Sequence, residues 1–324
     1  MQLGLTVPRK PKSGLPLIAR VLRHPIVQTT LSPLEHITRN ARFQTDGTQV
    51  AVANSLTPTL LEALFANQIL GIHIPGWYHA DLCDQIASNV LQVDTENWNV
   101  YDVKDGYRKS DVEVVGKPFN MAILDEDRWH RYFTEMRSIT NRIRAFSGLA
   151  SGPLDRFRLE MDEVWPYGLM VRRFKGAKMT PGLVRVMNDD ATGRTDVPLN
   201  CHVDDSPLLS SRTGLYSVNV YLKLPSHGGD LFLWNARMEG LSGVFKYWYV
   251  VKNFFLSSSY ADDKMQRMFQ SRLPPPSRIK VGTGDLVILN TGRPHAIEPF
   301  SGGPRISMQG FLTYSKKRPI GFWA

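Results

Sequence analysis

From residue 165 onward the chain is written in short β-prone runs, at 167–174, 216–224, 230–234, 285–289 and 305–314, bounded by Gly, Pro and Asn. Several short strands with turn signals between them predict a sandwich or barrel. One block breaks the pattern. Residues 241–273 are rich in Phe, Tyr, Trp and Lys at helical spacing and end at Pro274, Pro275 and Pro276, which reads as a helical insertion across one rim of the β-structure. Its outward role is open between a lid, a dimer contact and a membrane-surface patch, the first two being the more conservative.

Ahead of residue 165 the periodicity is helical. Residues 55–67 predict a short amphipathic helix with Thr57 as N-cap and Pro58 at the first position. Residues 79–90 predict a second, residues 125–146 one long helix with acids at its start, and residues 153–163 another. The expected organisation is a loosely structured basic arm over 1–45, a mostly helical layer over 46–164, a β-core over 165–315 carrying the insertion, and a tail over 316–324, all in one integrated domain.

Composition narrows the function classes. Of 324 residues, 42% are hydrophobic and 21% charged, an ordinary globular balance with no apolar run long enough to span a membrane. The net charge is +9, but Arg9, Lys10, Lys12, Arg20 and Arg23 place five positive charges in the arm before the first acid, Glu35. That arm reads as an organelle-targeting segment or simply as basic chain, and Pro8, Pro11 and Pro16 interrupt any amphipathic helix there. Two cysteines, Cys83 and Cys201, make no disulfide framework and fit a reducing, cytoplasmic compartment.

The chemistry begins at Asn200–Cys201–His202–Val203–Asp204–Asp205. In an extended chain His202 and Asp204 point to the same face, giving an imidazole and a carboxylate to one side. Asp205 is the alternative carboxylate. An HxD tripeptide alone is common; what changes its weight is the stretch 284–307. It reads as a strand, a turn, His295, a Gly-rich turn and a second strand opening at Arg305, ten residues after the histidine. On that strand Arg305, Ser307, Gln309 and Phe311 alternate with Ile306, Met308, Gly310 and Leu312, so a guanidinium and a hydroxyl share a face. Two imidazoles and a carboxylate occupy one face of an octahedral ion and leave three positions, which suits a bidentate 2-oxo acid and dioxygen. A planar Arg fork then suits the far carboxylate of that acid.

With these motifs, residues 165–315 resemble the iron(II)/2-oxoglutarate-dependent oxygenase superfamily, whose shared fold is a double-stranded β-helix, a cupin-like jelly roll. The runs Ser217–Val–Asn–Val–Tyr–Leu and Gly228–Gly–Asp–Leu–Phe–Leu–Trp234 also look like its middle strands. Fainter resemblance in the helical part points to bacterial hydroxylases of small molecules. The resemblance implies His202, Asp204 and His295 as iron(II) ligands, Arg305 with Ser307 as the 2-oxoglutarate clamp, and O2 as the second co-substrate. Asn219 and Tyr221 would line the co-substrate cavity, and Arg172, Arg173, Arg185 and Trp234 are candidates for contacting substrate. The implied reaction is hydroxylation or desaturation of an unactivated C–H bond of an amino acid or biosynthetic intermediate, giving succinate and carbon dioxide. In halogenases of the superfamily a small residue replaces the carboxylate, so Asp204 disfavours that branch.

Two alternatives keep the fold. Nucleic-acid demethylases carry a second Arg six residues after the first, where this chain has Phe311, and many protein hydroxylases clamp with Lys where Arg305 stands. A non-catalytic jelly-roll binding protein would be expected to have lost part of the set. Nucleic acid is therefore a disfavoured partner, and a homodimer is open. Cys201 reads as a small buried filler and His227 as a surface residue of a turn.

Overall fold

The computed structural model describes residues 7–11, 21–22, 24–98, 100–103, 106–109, 112–123, 126–188, 200–204, 214–238, 240–256 and 262–324. Asp205 lies outside them, as do parts of the basic arm. Eleven strands matter for the site: β1 (Val50–Val52), β2 (Gly71–Ile74), β3 (Val112–Val115), β4 (Leu183–Met187), β5 (Tyr216–Lys223), β6 (Leu231–Leu233), β7 (Ser277–Ile279), β8 (Leu286–Asn290), β9 (His295–Ile297), β10 (Arg305–Thr313) and β11 (Ile320–Trp323).

The centre of the large sheet runs β8-β5-β10-β4, every neighbour antiparallel. Facing it, a small sheet runs β7-β6-β9, and His202 bridges His295 to add a fourth antiparallel position. Following the chain, β4 lies in the large sheet, the 200–204 segment in the small one, β5 in the large and β6 and β7 in the small. β8, β9 and β10 then alternate large, small, large. A chain that winds back and forth between two antiparallel sheets in this way is a double-stranded β-helix.

Strand periodicity decides which side of the large sheet becomes greasy. Ile306, Met308 and Leu312 of β10, Val218, Val220 and Leu222 of β5 and Ile288 of β8 share one buried cluster with three helices. Those helices are α1 (Pro58–Phe65), α2 (Ala80–Val90) and a later one, Pro153–Val164. In α1 the Thr57 hydroxyl accepts from Leu60 N at 3.2 Å, and Leu61, Leu64 and Phe65 are buried. In α2 the buried set is Cys83, Ile86, Ala87 and Val90, an i, i+3, i+4, i+7 stripe. Each fully buried Leu or Phe contributes roughly 1.5–3 kcal/mol. The opposite face of the same strands carries Arg305, Ser307, Gln309, Asn219 and Tyr221, and looks across the barrel to the small sheet.

Three expectations change. The helical stretch 125–146 is two helices, α3 (Glu126–Thr134) and α4 (Met136–Ala145), with Glu135 between them at φ −92, ψ −3. The break turns Trp129, Tyr132 and Phe133 into a cluster with Phe311 and Trp323, while Ile143 faces the main cluster. Secondly, the part before residue 165 is not only helical. β1 and β2 extend the large sheet past β8, and β3 extends it past β4. The β2 run GIHI is buried throughout and shows no alternation, which is why periodicity missed it. Thirdly, the insertion's big aromatics are core. Tyr247, Trp248, Phe254 and Phe269 pack with Phe43, Cys201, Trp234 and Ala296 behind the small sheet. The insertion comprises α5 (Gly240–Lys246), a short helix Trp248–Val250, a π-helical turn Val251–Phe255 and α6 (Asp263–Gln270).

Candidate metal centre

His202 and Asp204 arrive on an extended segment pinned from three sides. His202 and His295 exchange backbone hydrogen bonds (3.0 and 2.9 Å), and Asp204 N donates to Thr291 O at 2.9 Å. Behind them Cys201 is fully buried, and the Gln266 amide of α6 clamps its backbone, accepting from Cys201 N and donating to Cys201 O, both at 3.1 Å. With Cys201 turned into the aromatic cluster, period-two alternation sends His202 and Asp204 to the barrel side. The insertion therefore fixes the HxD segment, a role carried by one buried glutamine that no sequence pattern marks.

Each imidazole is oriented the same way. His202 Nδ1 lies 2.9 Å from Asn200 O, and His295 Nδ1 lies 3.0 Å from Arg293 O. A carbonyl can only accept, so each Nδ1 carries a proton, and in the neutral ring Nε2 keeps its lone pair. His295 Nε2 stands 3.6 Å from Asp204 Oδ2, the two rings are 4.4 Å apart between centroids, and one ligand atom from each of the three residues falls within 4.8 Å of the others. Burial, reinforced by the neighbouring His295, pushes His202 down to about 4, so it stays neutral and able to donate a lone pair at ordinary pH. Burial alone would raise Asp204, but the adjacent His295, then His202 and Arg185, outweigh that and hold its carboxyl below the usual range. Two imidazoles and one carboxylate converging on one point form a donor set for a divalent cation, with one face left open.

Arg293, whose carbonyl orients His295, is itself 1% exposed. Its guanidinium donates to Asn235 Oδ1, and Asn235 Nδ2 donates to Asp46 and, at 3.2 Å, to Thr48 O. Sequence reading passed over this arginine because a charged side chain between Gly292 and Pro294 looks like turn surface.

Inside the barrel, Arg305 is 3% exposed, donates from Nε to Gly229 O at 3.0 Å, and lies 4.8 Å from the centre of the Tyr221 ring. The tight Gly228–Gly229 turn shapes that contact: at Gly229 φ is +83°, and a Cβ would meet Pro225 Cγ at 2.9 Å and Arg305 Cδ at 3.6 Å. Ser307 follows on the same face, buried, and Asn219 Nδ2 donates to Ser217 Oγ at 3.1 Å. Arg185 pairs across with Ser307, its guanidinium 5.1 Å from the Trp98 ring, and its positive field reaches His202 and Asp204.

The barrel interior thus gathers His202, Asp204, His295, Arg305, Ser307, Asn219, Tyr221 and Arg185. Three expected substrate contacts fall elsewhere, Arg173 among them, exposed and donating to Gly176 O at 2.8 Å. Trp234 belongs to the cluster behind the small sheet, because alternation in β6 gives Leu231 and Leu233 the interior and turns Phe232 and Trp234 outward. Arg172 donates to the Thr313 hydroxyl at the opposite end of β10 from Arg305, eight residues or about 26 Å along the strand. It is drawn there because Leu169–Val171 pairs with β11. His227 is exposed in its turn, as expected.

No family model matches the sequence, and no curated protein matches it. Among solved structures, an N-substituted L-amino acid dioxygenase from Burkholderia ambifaria is similar over 82% of this chain and 91% of its own, with 12% identity and a TM-score of 0.50. The same enzyme in complex with alpha-KG aligns over 82% and 90%, with 11% identity and a TM-score of 0.49. HygX from Streptomyces hygroscopicus, with nickel and 2-oxoglutarate bound, aligns over 79% and 87%, with 14% identity and a TM-score of 0.40. The first of these likenesses is one of fold, and it agrees with the double-stranded β-helix read from the strand order.

Proposed function

We propose that the chain is an iron(II)- and 2-oxoglutarate-dependent oxygenase that hydroxylates or desaturates an unactivated C–H bond of a small molecule, such as an amino acid or biosynthetic intermediate. One observation carries the reading: three convergent ligand atoms, two imidazole and one carboxylate, share a barrel interior with a deeply buried guanidinium. The residues fit the groups assigned to them. His202, Asp204 and His295 hold the metal through the two Nε2 atoms and one carboxylate oxygen, a 2-His-1-carboxylate set suited to non-haem iron(II). Arg305 and Ser307 take the far carboxylate of the 2-oxo acid, with Tyr221 and Asn219 lining the cavity. Bound there, iron(II), 2-oxoglutarate and O2 would supply the oxidising power, with succinate and carbon dioxide as co-products.

The protein's share is orientation and charge. The carbonyls of Asn200 and Arg293 keep both imidazoles in the ligating tautomer. Tyr221 and Gly229 hold the Arg305 fork before any ligand enters, so less freedom is lost on binding. Asp204 supplies the carboxylate that a halide would otherwise displace, which favours hydroxylation or desaturation over halogenation. Phe311, where a second arginine would stand, and the arginine at 305 favour a small-molecule substrate over nucleic acid or protein. The enzyme of similar fold from Burkholderia ambifaria, named for N-substituted L-amino acids, keeps amino acids among the first substrates to try. Cys83 and Cys201, both buried and unbridged, suit a cytoplasmic setting.

The test is anaerobic. Iron(II) and 2-oxoglutarate added to purified apoprotein should give a weak visible metal-to-ligand charge-transfer band. The band should vanish in His295→Ala and weaken in Arg305→Ala. Absence of any band at saturating iron(II) would reject the oxygenase reading in favour of a binding module.

A further inference from the structure

The interior face of β10 carries one group that neither the metal nor the 2-oxo acid needs. Gln309 is 4% exposed, and its amide oxygen has no hydrogen-bond partner among the described residues. Buried amides are almost always paired, because a buried acceptor that has lost water and gained nothing is costly. Its direction follows from the strand. Ile306 and Met308 enter the helical cluster and Gly310 packs on Phe322, so Gln309 turns inward with Arg305 and Ser307.

Register locates it further. Arg305 pairs with Met187, Ser307 with Arg185, and Gln309 with Leu183 on one side and Asn219 on the other. Arg185 and Gln309 are therefore diagonal neighbours on the inner face, about 7–8 Å apart. Trp98 lies against the Arg185 guanidinium, a cation–π contact that favours one orientation of a long side chain. Arg305, already shaped by Gly229 and Tyr221, sits one rung away from Arg185 and serves a different anion.

We infer that Arg185 and Gln309 together bind the head of the substrate, an α-amino acid or N-acyl α-amino acid, with its carboxylate on Arg185 and its N–H donating to the Gln309 amide oxygen. The placement suits it: a carboxylate and a nitrogen on one carbon need a cation and an acceptor on neighbouring inward positions, which the diagonal pair Arg185 and Gln309 supplies. The amide oxygen, with its two lone pairs, is the acceptor that this nitrogen meets. The inference rests on the oxygenase reading above and names the substrate class for it.

The experiment starts from wild type, Arg185→Met and Gln309→Met, each with iron(II) and 2-oxoglutarate bound without oxygen. The twenty L-amino acids and their N-acetyl derivatives are titrated, and the shift of the charge-transfer band reports binding. At least one probe should shift the band in wild type. Gln309→Met should weaken that probe about tenfold and Arg185→Met at least as much, while 2-oxoglutarate affinity stays within about threefold in both. Its carboxyl-free amide analogue should not bind. Gln309→Met should also leave Tm unchanged or raised, since it removes an unpaired acceptor, whereas a structural glutamine would lower it. A wild-type band that no probe shifts overturns the amino-acid assignment and leaves the oxygenase reading standing. A tenfold loss of 2-oxoglutarate affinity in either variant also overturns it, placing that residue in the co-substrate site. Absence of the band itself is failure of the underlying reading, and is thereby distinguished.

Discussion

Two buried polar clusters sit on the β-scaffold and are built on opposite rules. At the turn before β8, Asp285 accepts from His73 Nε2 at 2.7 Å, from Gly76 N at 2.8 Å and from Gly282 N at 2.7 Å. Its geometry is locked by Gly284, at φ +86°, where a Cβ would meet Tyr78 O at 2.1 Å. Both oxygens are used, and His73 at 7% and Asp285 at 5% exposure are shut away from water. Inside the barrel, by contrast, two imidazoles and a carboxylate converge on one point, and the Gln309 acceptor lacks a partner among the described residues. Protein groups saturate the first cluster and only orient the second. Saturation is how a polar group stabilises a fold, and organised unsaturation is how one prepares to bind. Substitutions should therefore cost stability in the first place and ligand affinity in the second.

The largest expected effect is His295→Ala. Removing one of three ligands should lower iron(II) affinity by more than about 100-fold, beyond what loss of an outer-shell partner costs. Anaerobic calorimetric titration with iron(II) measures it. Because Asp204 Oδ2, at 3.6 Å and beyond hydrogen-bond length, is the charged group that the imidazole Nε2 faces, the urea midpoint should fall far less than in a core truncation; a collapse of the fold would erase the contrast between the clusters. Asp285→Ala is the mirror image. It strands His73 and two backbone N–H groups in the interior and should cost about 3 kcal/mol in urea unfolding, with iron(II) affinity of the surviving native protein unchanged. A variant that unfolds normally but no longer binds iron(II) would break the comparison from the other side.

Arg305→Lys sharpens it on a smaller scale. The lysine keeps the charge but loses the planar fork, so 2-oxoglutarate should bind roughly tenfold more weakly while iron(II) binding alone is unaffected. Fluorescence or calorimetric titration with the co-substrate separates the two. Equal affinity in the variant would mean that charge alone, not the shape set by Gly229 and Tyr221, recognises the carboxylate.

How much of this could be read in advance differs between the same two clusters. HxD and RxS are local patterns with a period-two logic, so His202 could be placed on one strand face with Asp204, and Arg305 on another with Ser307, with His295 ten residues before Arg305. The β-core was legible for the same reason, since β5, β6, β8 and β10 are bounded by turn residues. The Asp285–His73 clamp was not legible: its partners are 212 residues apart, and β2 has no alternation to announce it. Nor was the clamp of Gln266 on Cys201, 65 residues away, or the split of the long helix at Glu135. Long-range pairing is fixed by how elements pack, and one strand's pattern does not contain it. Trp234 shows the limit from the other direction: its strand was found, but which face looked inward depended on the sheet opposite.

The smallest effect is the pH response of the saturated cluster, and its sign follows from the donors. Burial pushes the Asp285 carboxyl up, but the hydrogen bond from His73, then those from Gly76 and Gly282, outweigh it and leave it below the usual carboxylate range. A carboxyl depressed in the folded state binds protons less readily there than in the unfolded chain. Its contribution is fully present above the unfolded value of about 3.9 and is lost as pH falls through the folded value. Asp155, held down first by Arg144, and Asp46, held down by Thr48 and Asn235, act in the same direction, so the wild-type acid limb is a sum. The informative quantity is the difference between wild type and Asp285→Asn, followed as the urea midpoint from neutral pH downward. The two curves should differ most near neutrality, begin to converge below the unfolded carboxylate value and meet below the folded one, where the wild-type group has itself been neutralised. Parallel curves down to the lowest pH would mean that Asp285 supplies only hydrogen-bond geometry, and that the first cluster is held together without its charge.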